Sequence, residues 1–306
     1  MSDGPTRIAG RGACIYCGRT DGPLTDEHIL PLSLGGVHIL EKASCLSCAD
    51  ITKRFEQEVA RGLWGDARIA YNAPSRRKNE RKTHIILSDP DVPGRRLKVP
   101  YNEYPAGFVF YQMFRAGILE GLPSDLDISS RWQMKVVMDD AKAKEFEKKY
   151  SSKPTMKFKH VPDSFGRLIA KIGYGQVLTV LSPEDFYPIC LPYILGTEQN
   201  VSYVVGGRFE IEEPVVGKGY VLKTAAFGDF NRLILIAEVR LYASNYTPTY
   251  HVVVGDVVGR GKIIEVIEKL GPGEFVPTDS ISVSSNDAST SGHWMPKQWP
   301  LPFFRI

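Results

Sequence analysis

The chain is short of several things, and each shortage removes a class of protein. No apolar run approaches the ~20 residues that a helix needs to cross a bilayer. The first eighteen residues, MSDGPTRIAGRGACIYCG, hold no apolar h-region. No secretory signal is therefore expected, and the expected compartment is the cytoplasm, with no membrane partner. Net charge is only +3 over 306 residues, too little by itself to point to nucleic acid. There is no phosphate-cradling P-loop, no dinucleotide fingerprint and no nucleophile elbow. What remains is ordinary globular material, 43% apolar and 24% charged, which excludes disorder as the main state. The length suits two ordinary domains or one large one.

Cysteine is also scarce, but four of the five are paired: Cys14-Ile15-Tyr16-Cys17 and Cys45-Leu46-Ser47-Cys48. In a cytosolic chain two C-x-x-C pairs argue for zinc rather than disulfides. Each knuckle presents two thiolates from one tight turn, and Gly18 suits the first turn. Together they close the tetrahedral shell of a structural zinc, which leaves no open position for chemistry. A redox pair fits less well, because no thioredoxin-type strand–helix pattern surrounds either motif. Cys190, in the apolar run Tyr187-Pro188-Ile189-Cys190-Leu191-Pro192, reads as an inert buried thiol.

The 27 residues between the knuckles have their own pattern. Residues 24–30 read as a strand, Pro31 and Gly35-Gly36 break the chain, and apolar residues resume at Val37, Ile39 and Leu40. After Cys48, the residues Ile51, Phe55, Val59 and Leu63 fall four apart on one helix stripe. The order is knuckle, hairpin, knuckle, helix, a ββα unit pinned by zinc.

These residues resemble a family. C-x-x-C-G, then D-E-H-I-x-P-x-x-L-G-G, then A-S-C-x-x-C opening a helix, is similar to the zinc-knuckle branch of the HNH endonucleases of the ββα-metal fold. The resemblance covers residues 12–65. It implies hydrolysis of phosphodiester bonds with His28 as general base and Glu27 holding a divalent cation, Mg²⁺ or Mn²⁺. An imidazole with an ordinary pKa near 6.5 suits proton removal at neutral pH, and a hard cation prefers carboxylate oxygen. Neighbours on a strand point to opposite faces, so either the hairpin is irregular at this pair or one of the two acts at longer reach. Asp26 remains the alternative acid.

Two positions depart from the family pattern. The Asn that follows the second knuckle and ligates the metal is Ala49 here, and the central Asn corresponds to Leu40. Asp50 and Glu56 are the candidate replacements. At 100° per residue Glu56 shares a helix face with Ala49 and Thr52, about 10 Å further along, whereas Asp50 is close but rotated away. Their other readings are a helix-surface carboxylate and an acid at the helix N-terminus. His38 is a candidate for orienting phosphate, or an exposed hairpin histidine. If neither acid serves, the chain is a catalytically degenerate, zinc-stapled module that binds nucleic acid or a partner.

The whole charge excess lies in residues 1–82, with 13 bases and 10 acids, against 25 of each in the rest. Arg76, Arg77, Lys78, Arg81 and Lys82 fall within seven residues, either a phosphate-contacting patch or a solvated linker. Beyond them a hairpin is expected over residues 83–104, with strands Thr83–Leu87 and Arg96–Val99, and helix or buried strand over 105–119. Strands are expected over 130–138, 155–161, 201–205, 220–226, 233–241 and 250–257, and helices over 140–150 and 162–180. Residues 255–261 read as a glycine turn without a clear helix after it. The Ser-rich 279–292 reads as a long loop, and the aromatic tail 293–306 as packing back onto a sheet.

The expected fold class is α+β: a small N-terminal ββα-metal domain (residues 1–75), a basic connector and hairpin (76–104), and a mixed, β-rich α+β domain (105–306). The expected function is a metal-dependent endonuclease that cuts or nicks DNA, more than RNA. Its large second domain would recognise DNA, a ligand or a regulatory protein. By analogy, an endonuclease that must be controlled fits a phage-defence or restriction-type system.

Overall fold

The computed structural model describes residues 5–75 and 78–271, with the backbone of two later strands, Glu274–Val276 and Phe303–Arg305. The expected ββα unit is present, with one addition. Strands β1 (Thr6–Ile8), β2 (Leu24–His28) and β3 (His38–Cys45) form a sheet in the order β1-β3-β2, with β1 parallel to β3 and β2 antiparallel to it. The strand β1 carried no signal in sequence, being three residues long. Between β2 and β3 the chain turns at Pro31 and Gly35, and Gly36 passes so close to Leu30 that a Cβ would lie 1.8 Å from its carbonyl oxygen. Only glycine fits there.

Pairing of β2 with β3 shifts register between Thr25/Ser44 and Glu27/Leu40. Two extra residues of β3 bulge out, and Lys42 adopts a positive φ of 45°. Asp26 closes the bulge by accepting the Lys42 N–H at 3.1 Å. The bulge precedes the acid–His pair and leaves Glu27 and His28 on consecutive rungs of the ladder.

Helix α1 (Leu46–Glu58) starts at Cys45, and the chain continues through a π-helical turn, Val59–Leu63, into α2 (Gly65–Ala70). Phe55, Val59 and Leu63 of the expected stripe are buried. Trp64 follows, fully buried, with its indole N–H donating to the Val109 carbonyl at 2.6 Å.

The longer part contains the hairpin β4 (His84–Ser88)/β5 (Arg96–Pro100) and the pair β6 (Phe108–Gln112)/β7 (Gln133–Val137). Helices α3 (Asp140–Tyr150), α4 (Pro162–Val177) and α5 (Leu191–Leu195) follow. The main sheet then takes β8 (Val205–Gly207), β9 (Tyr220–Gly228), β10 (Arg232–Leu241) and β11 (Thr249–Val258). Helix α6 (Arg260–Leu270) and strands β12 (Glu274–Val276) and β13 (Phe303–Arg305) complete the order. The six strands run β12-β13-β9-β10-β11-β8, every neighbour antiparallel. Among the described residues no helix is long and apolar enough to cross a membrane.

Helix α4 decides how the parts meet. Twelve of its sixteen residues are buried. Gly173 lets one side sit against β10 and β11, where a Cβ would come within 2.7 Å of Val252 and 3.1 Å of Ala237. Gly175 on the other side lies against Ile29, at the end of β2. The Tyr174 hydroxyl donates to the Ile15 carbonyl at 2.6 Å, and the Arg167 guanidinium stacks 5.0 Å over the Phe55 ring. One hydrophobic cluster therefore runs from Cys14 to Leu270.

Some local readings fail, for identifiable reasons. Residues 155–161 were expected as a strand but pair with no sheet. Their backbone is bonded singly instead: Lys159 N–H to Gly62 at 2.8 Å, the Thr155 carbonyl to the Tyr104 hydroxyl at 2.8 Å, and Val161 N–H to the Tyr111 hydroxyl at 2.9 Å. Residues 201–203 form a 3₁₀ turn and only Val205 joins a strand; the Ser202 hydroxyl bonds the Asn200 side chain locally, and the Asn200 amide reaches the Ser124 carbonyl. Over residues 105–119, by contrast, the buried-strand reading holds as β6, followed by a 3₁₀ turn at Gly117–Glu120. The glycine turn at 255–261 does open a helix, α6, which buries Ile263, Val266 and Leu270. The Ser-rich 279–292 lies outside the described residues, as does the tail except for Phe303–Arg305, which pairs with β9.

Candidate active site and metal centre

The four knuckle cysteines come together. Their sulfurs all lie within 4.8 Å of one another, with Cys17 and Cys45 3.7 Å apart. A tetrahedron with metal–sulfur bonds near 2.3 Å has edges of about 3.8 Å, so the set fits zinc. The first knuckle closes by Gly18 N–H to the Cys14 carbonyl at 2.8 Å, with Gly18 at a φ of 72°. The knuckle is tied to β3 by Ile15 N–H to the Ala43 carbonyl. Burial opposes ionisation of Cys45, but the Cys48 N–H at the helix start and the neighbouring thiols outweigh it and bring Cys45 down to about 7. A zinc ligand must be a thiolate; Cys45 is shifted toward that form, whereas burial pushes Cys17 and Cys48 the other way.

On β2, Glu27 is buried and His28 is half-buried. Glu27 pairs with Leu40 across the hairpin, and His28 with Ile39, so the two side chains leave opposite faces of β2. Glu27 points toward α1 and α4. There its carboxylate meets Lys171 of α4, with Nζ 2.6 Å from Glu27 and 2.9 Å from Glu56. The same ammonium donates to the main-chain carbonyl of His28. An ammonium has three donors, and these three acceptors use them all. The Lys171 side chain is 1% exposed, Glu27 9% and Glu56 24%. The two carboxylates outweigh burial and raise the Lys171 pKa, so it stays charged. Burial pushes the Glu27 carboxyl up against the pull of Lys171. Tyr16 is buried beside them, and burial together with the carboxylates keeps its phenol protonated.

A family model described as HNH endonuclease matches residues 14–61. Residues 14–61 form an HNH endonuclease domain. The curated proteins contain no match to the chain, and neither do the solved structures. The family model thus covers both knuckles, the Glu27-His28 pair and all of α1, and stops short of α4.

Within the HNH domain the candidate residues divide sharply. Glu27 and Glu56 converge as the shared helix face required, but on an ammonium. Asp50 is exposed on α1, outside the cluster. Asp26 faces away, held by Arg7 at 2.9 Å and the Lys42 N–H, which lower its pKa. His38 shares a hydrogen bond with Tyr220 of β9 at 3.3 Å. Ala49 offers no ligand atom. A magnesium ion needs six oxygens in near-octahedral array and keeps several waters. At the point where Glu27 and Glu56 meet, the room is taken by a buried like charge. As arranged, these residues do not fit a divalent cation, and no catalytic step is derived through one.

Of the basic run, Arg76 and Arg77 lie outside the described residues, as does the Lys78 side chain. Arg81 bonds the Asn72 side chain at 3.3 Å and the Ala73 carbonyl, bracing the end of α2, while Lys82 is exposed. Lys171 is the residue that sequence reading missed. Its signal was present: it sits three residues after Leu168 and next to Ile172, on the apolar stripe of its helix. A lysine there needs a buried acid from elsewhere.

Proposed function

We propose that this chain is an endonuclease acting on nucleic acid, DNA before RNA, with His28 as its general base. The observation that carries this reading is the retained Glu27-His28 pair on β2 of the zinc-stapled HNH domain, with the His28 ring half-buried and its main-chain carbonyl clamped by Lys171. A fixed, partly accessible imidazole can take a proton from water. The resulting hydroxide attacks phosphorus in line, and the sugar oxygen leaves on the opposite side. Zinc, held by Cys14, Cys17, Cys45 and Cys48, supplies the frame and no reaction step. Of the 76–82 run, Arg76, Arg77, Lys78 and Lys82 are assigned to phosphate contact, while Arg81 braces residues 72 and 73. The β-rich remainder is assigned a controlling role, since its helix α4 touches the site directly. A place in phage defence or restriction fits such control.

A second reading has its own support. Ala49 in place of Asn, and an ammonium between Glu27 and Glu56, suit a module that holds nucleic acid without cutting it. Incubation of supercoiled plasmid with the protein in Mg²⁺, Mn²⁺ or EDTA separates the two. The nuclease reading expects nicked or linear product with the native chain, and a loss of ~10²–10⁴-fold with His28→Ala at unchanged zinc content. Salt-sensitive binding with no cutting under any condition gives the second reading. Undiminished cutting by His28→Ala would remove His28 from its role.

A further inference from the structure

We infer that the Lys171 ammonium is the resident cation of this HNH domain, standing permanently between the two carboxylates to which the sequence assigns a divalent metal. The inference deepens the nuclease reading and rests on it only for the role of His28. What it claims about Glu27 and Glu56 is independent of cutting.

Three observations carry it. The first is saturation. Lys171 has three N–H donors and finds three oxygens, one each from Glu27 and Glu56 and the His28 carbonyl, with the Ile29 carbonyl at 3.5 Å beyond them. Nothing about the ammonium is left to be satisfied by water or substrate. The second is burial. At 1% exposure the group is sealed, and a divalent ion arriving with its waters would have to expel a like charge from a dry site. The third is immobility. Lys171 is not on a loop that swings away. It belongs to α4, whose other side is pressed against β10 and β11 through Gly173 and whose Tyr174 and Gly175 flank the same end of the HNH domain. Withdrawing the lysine by moving its helix would open the core of the whole chain, so the arrangement is not a latch.

Two departures in the HNH domain then have one explanation. With a monovalent cation supplied by the chain, the second metal ligand has no function, and Ala49 and Leu40 stand where the family has Asn. Lys171 acts as a positioning residue. It offsets one of the two carboxylate charges, and through the His28 carbonyl it fixes the backbone that carries the imidazole.

The test is cation binding rather than cutting. Protein with zinc in its four-cysteine site is titrated with Mn²⁺, and bound ion is counted by electron paramagnetic resonance for the native chain, Glu56→Gln, Lys171→Ala, and Lys171→Ala with Glu56→Gln. The expected result is that Glu56→Gln changes nothing in the native background. Lys171→Ala should gain one Mn²⁺ per chain, bound at least tenfold more tightly than any ion on the native protein, and the added Glu56→Gln should abolish it. Native protein that binds one Mn²⁺, lost with Glu56→Gln, overturns the inference. So does a folded Lys171→Ala chain that gains no site. If Lys171→Ala does not fold, the native and Glu56→Gln titrations decide alone, since a divalent site dependent on Glu56 and a resident ammonium exclude each other. A native chain that cuts no plasmid would end the nuclease reading and leave this result standing. A chain that cuts and binds Mn²⁺ through Glu56 would do the reverse.

Discussion

The zinc centre and the Glu27–Glu56–Lys171 cluster are built in opposite ways. The zinc centre draws its four ligands from residues 14–48, within one compact stretch of chain. The Glu27–Glu56–Lys171 cluster joins residues up to 144 positions apart (171 − 27). The first is closed by short turns and a metal, and stabilises mainly the HNH domain. The second is closed only after the long C-terminal part has folded, and it welds that part to the HNH domain. A local device is recognisable by spacing, whereas a distant one is visible in sequence only as an anomaly, here a lysine on an apolar stripe.

The widest gap between the two is expected on removing a zinc ligand. Binding free energy for a structural zinc is also folding free energy, on the order of 10 kcal/mol. Cys45→Ser should therefore release zinc and lose amide-exchange protection across residues 12–65 first. Native zinc content of zero by metal analysis would sink this expectation.

Lys171→Met should act differently. It removes one partner of a buried ionic cluster, which costs about 3–5 kcal/mol, and zinc should stay bound. The loss should appear in the global unfolding midpoint, because α4 belongs to the common core. A midpoint unchanged from native would mean that the carboxylates find water when the ammonium is gone.

The basic run sharpens the contrast on the binding side. Neutralising Arg76, Arg77, Lys78 and Lys82 should weaken duplex binding and flatten its salt dependence by about 0.9 log units per lost phosphate contact. Arg81 should matter less to the slope and more to stability, since its guanidinium braces residues 72 and 73. An unchanged slope would make the run a linker.

The smallest effect lies at a third charged group, Asp185. Burial would raise the Asp185 pKa, but Lys269, the Ser182 N–H and Lys262 outweigh it and hold Asp185 at about 2. A depressed carboxyl stabilises the fold above its unfolded value of roughly 3.9, and that contribution disappears as pH falls through about 2. Lys269→Ala should move the onset of acid unfolding upward within that window. The change at neutral pH should stay below about 1 kcal/mol, as for other partly exposed pairs.

Much of this was open to reading in the residues themselves. Gly18 after the first knuckle, the Gly35-Gly36 break and the four-apart stripe from Ile51 to Leu63 are local rules, so the ββα unit and the zinc shell followed from spacing. Long strands with β-branched residues, β9 to β11, were equally plain. The short β1, the unpaired 155–161 segment and the start of α6 were not, because each depends on what lies beside it rather than on its own pattern.

The site divides along the same line. By itself the sequence determined that four cysteines close on a zinc and that Glu27 and His28 stand together on one strand. It also determined that Glu56 shares the helix face of the missing ligand, because turns, strands and helices are set by neighbours a few residues away. Only the tertiary structure decided what lies between the two carboxylates. Helix α4 had first to be fixed by its glycines between two sheets before its one buried lysine could reach them. An interaction across 144 residues (171 − 27) has no period or spacing in the chain, and exists only where packing brings the charges together.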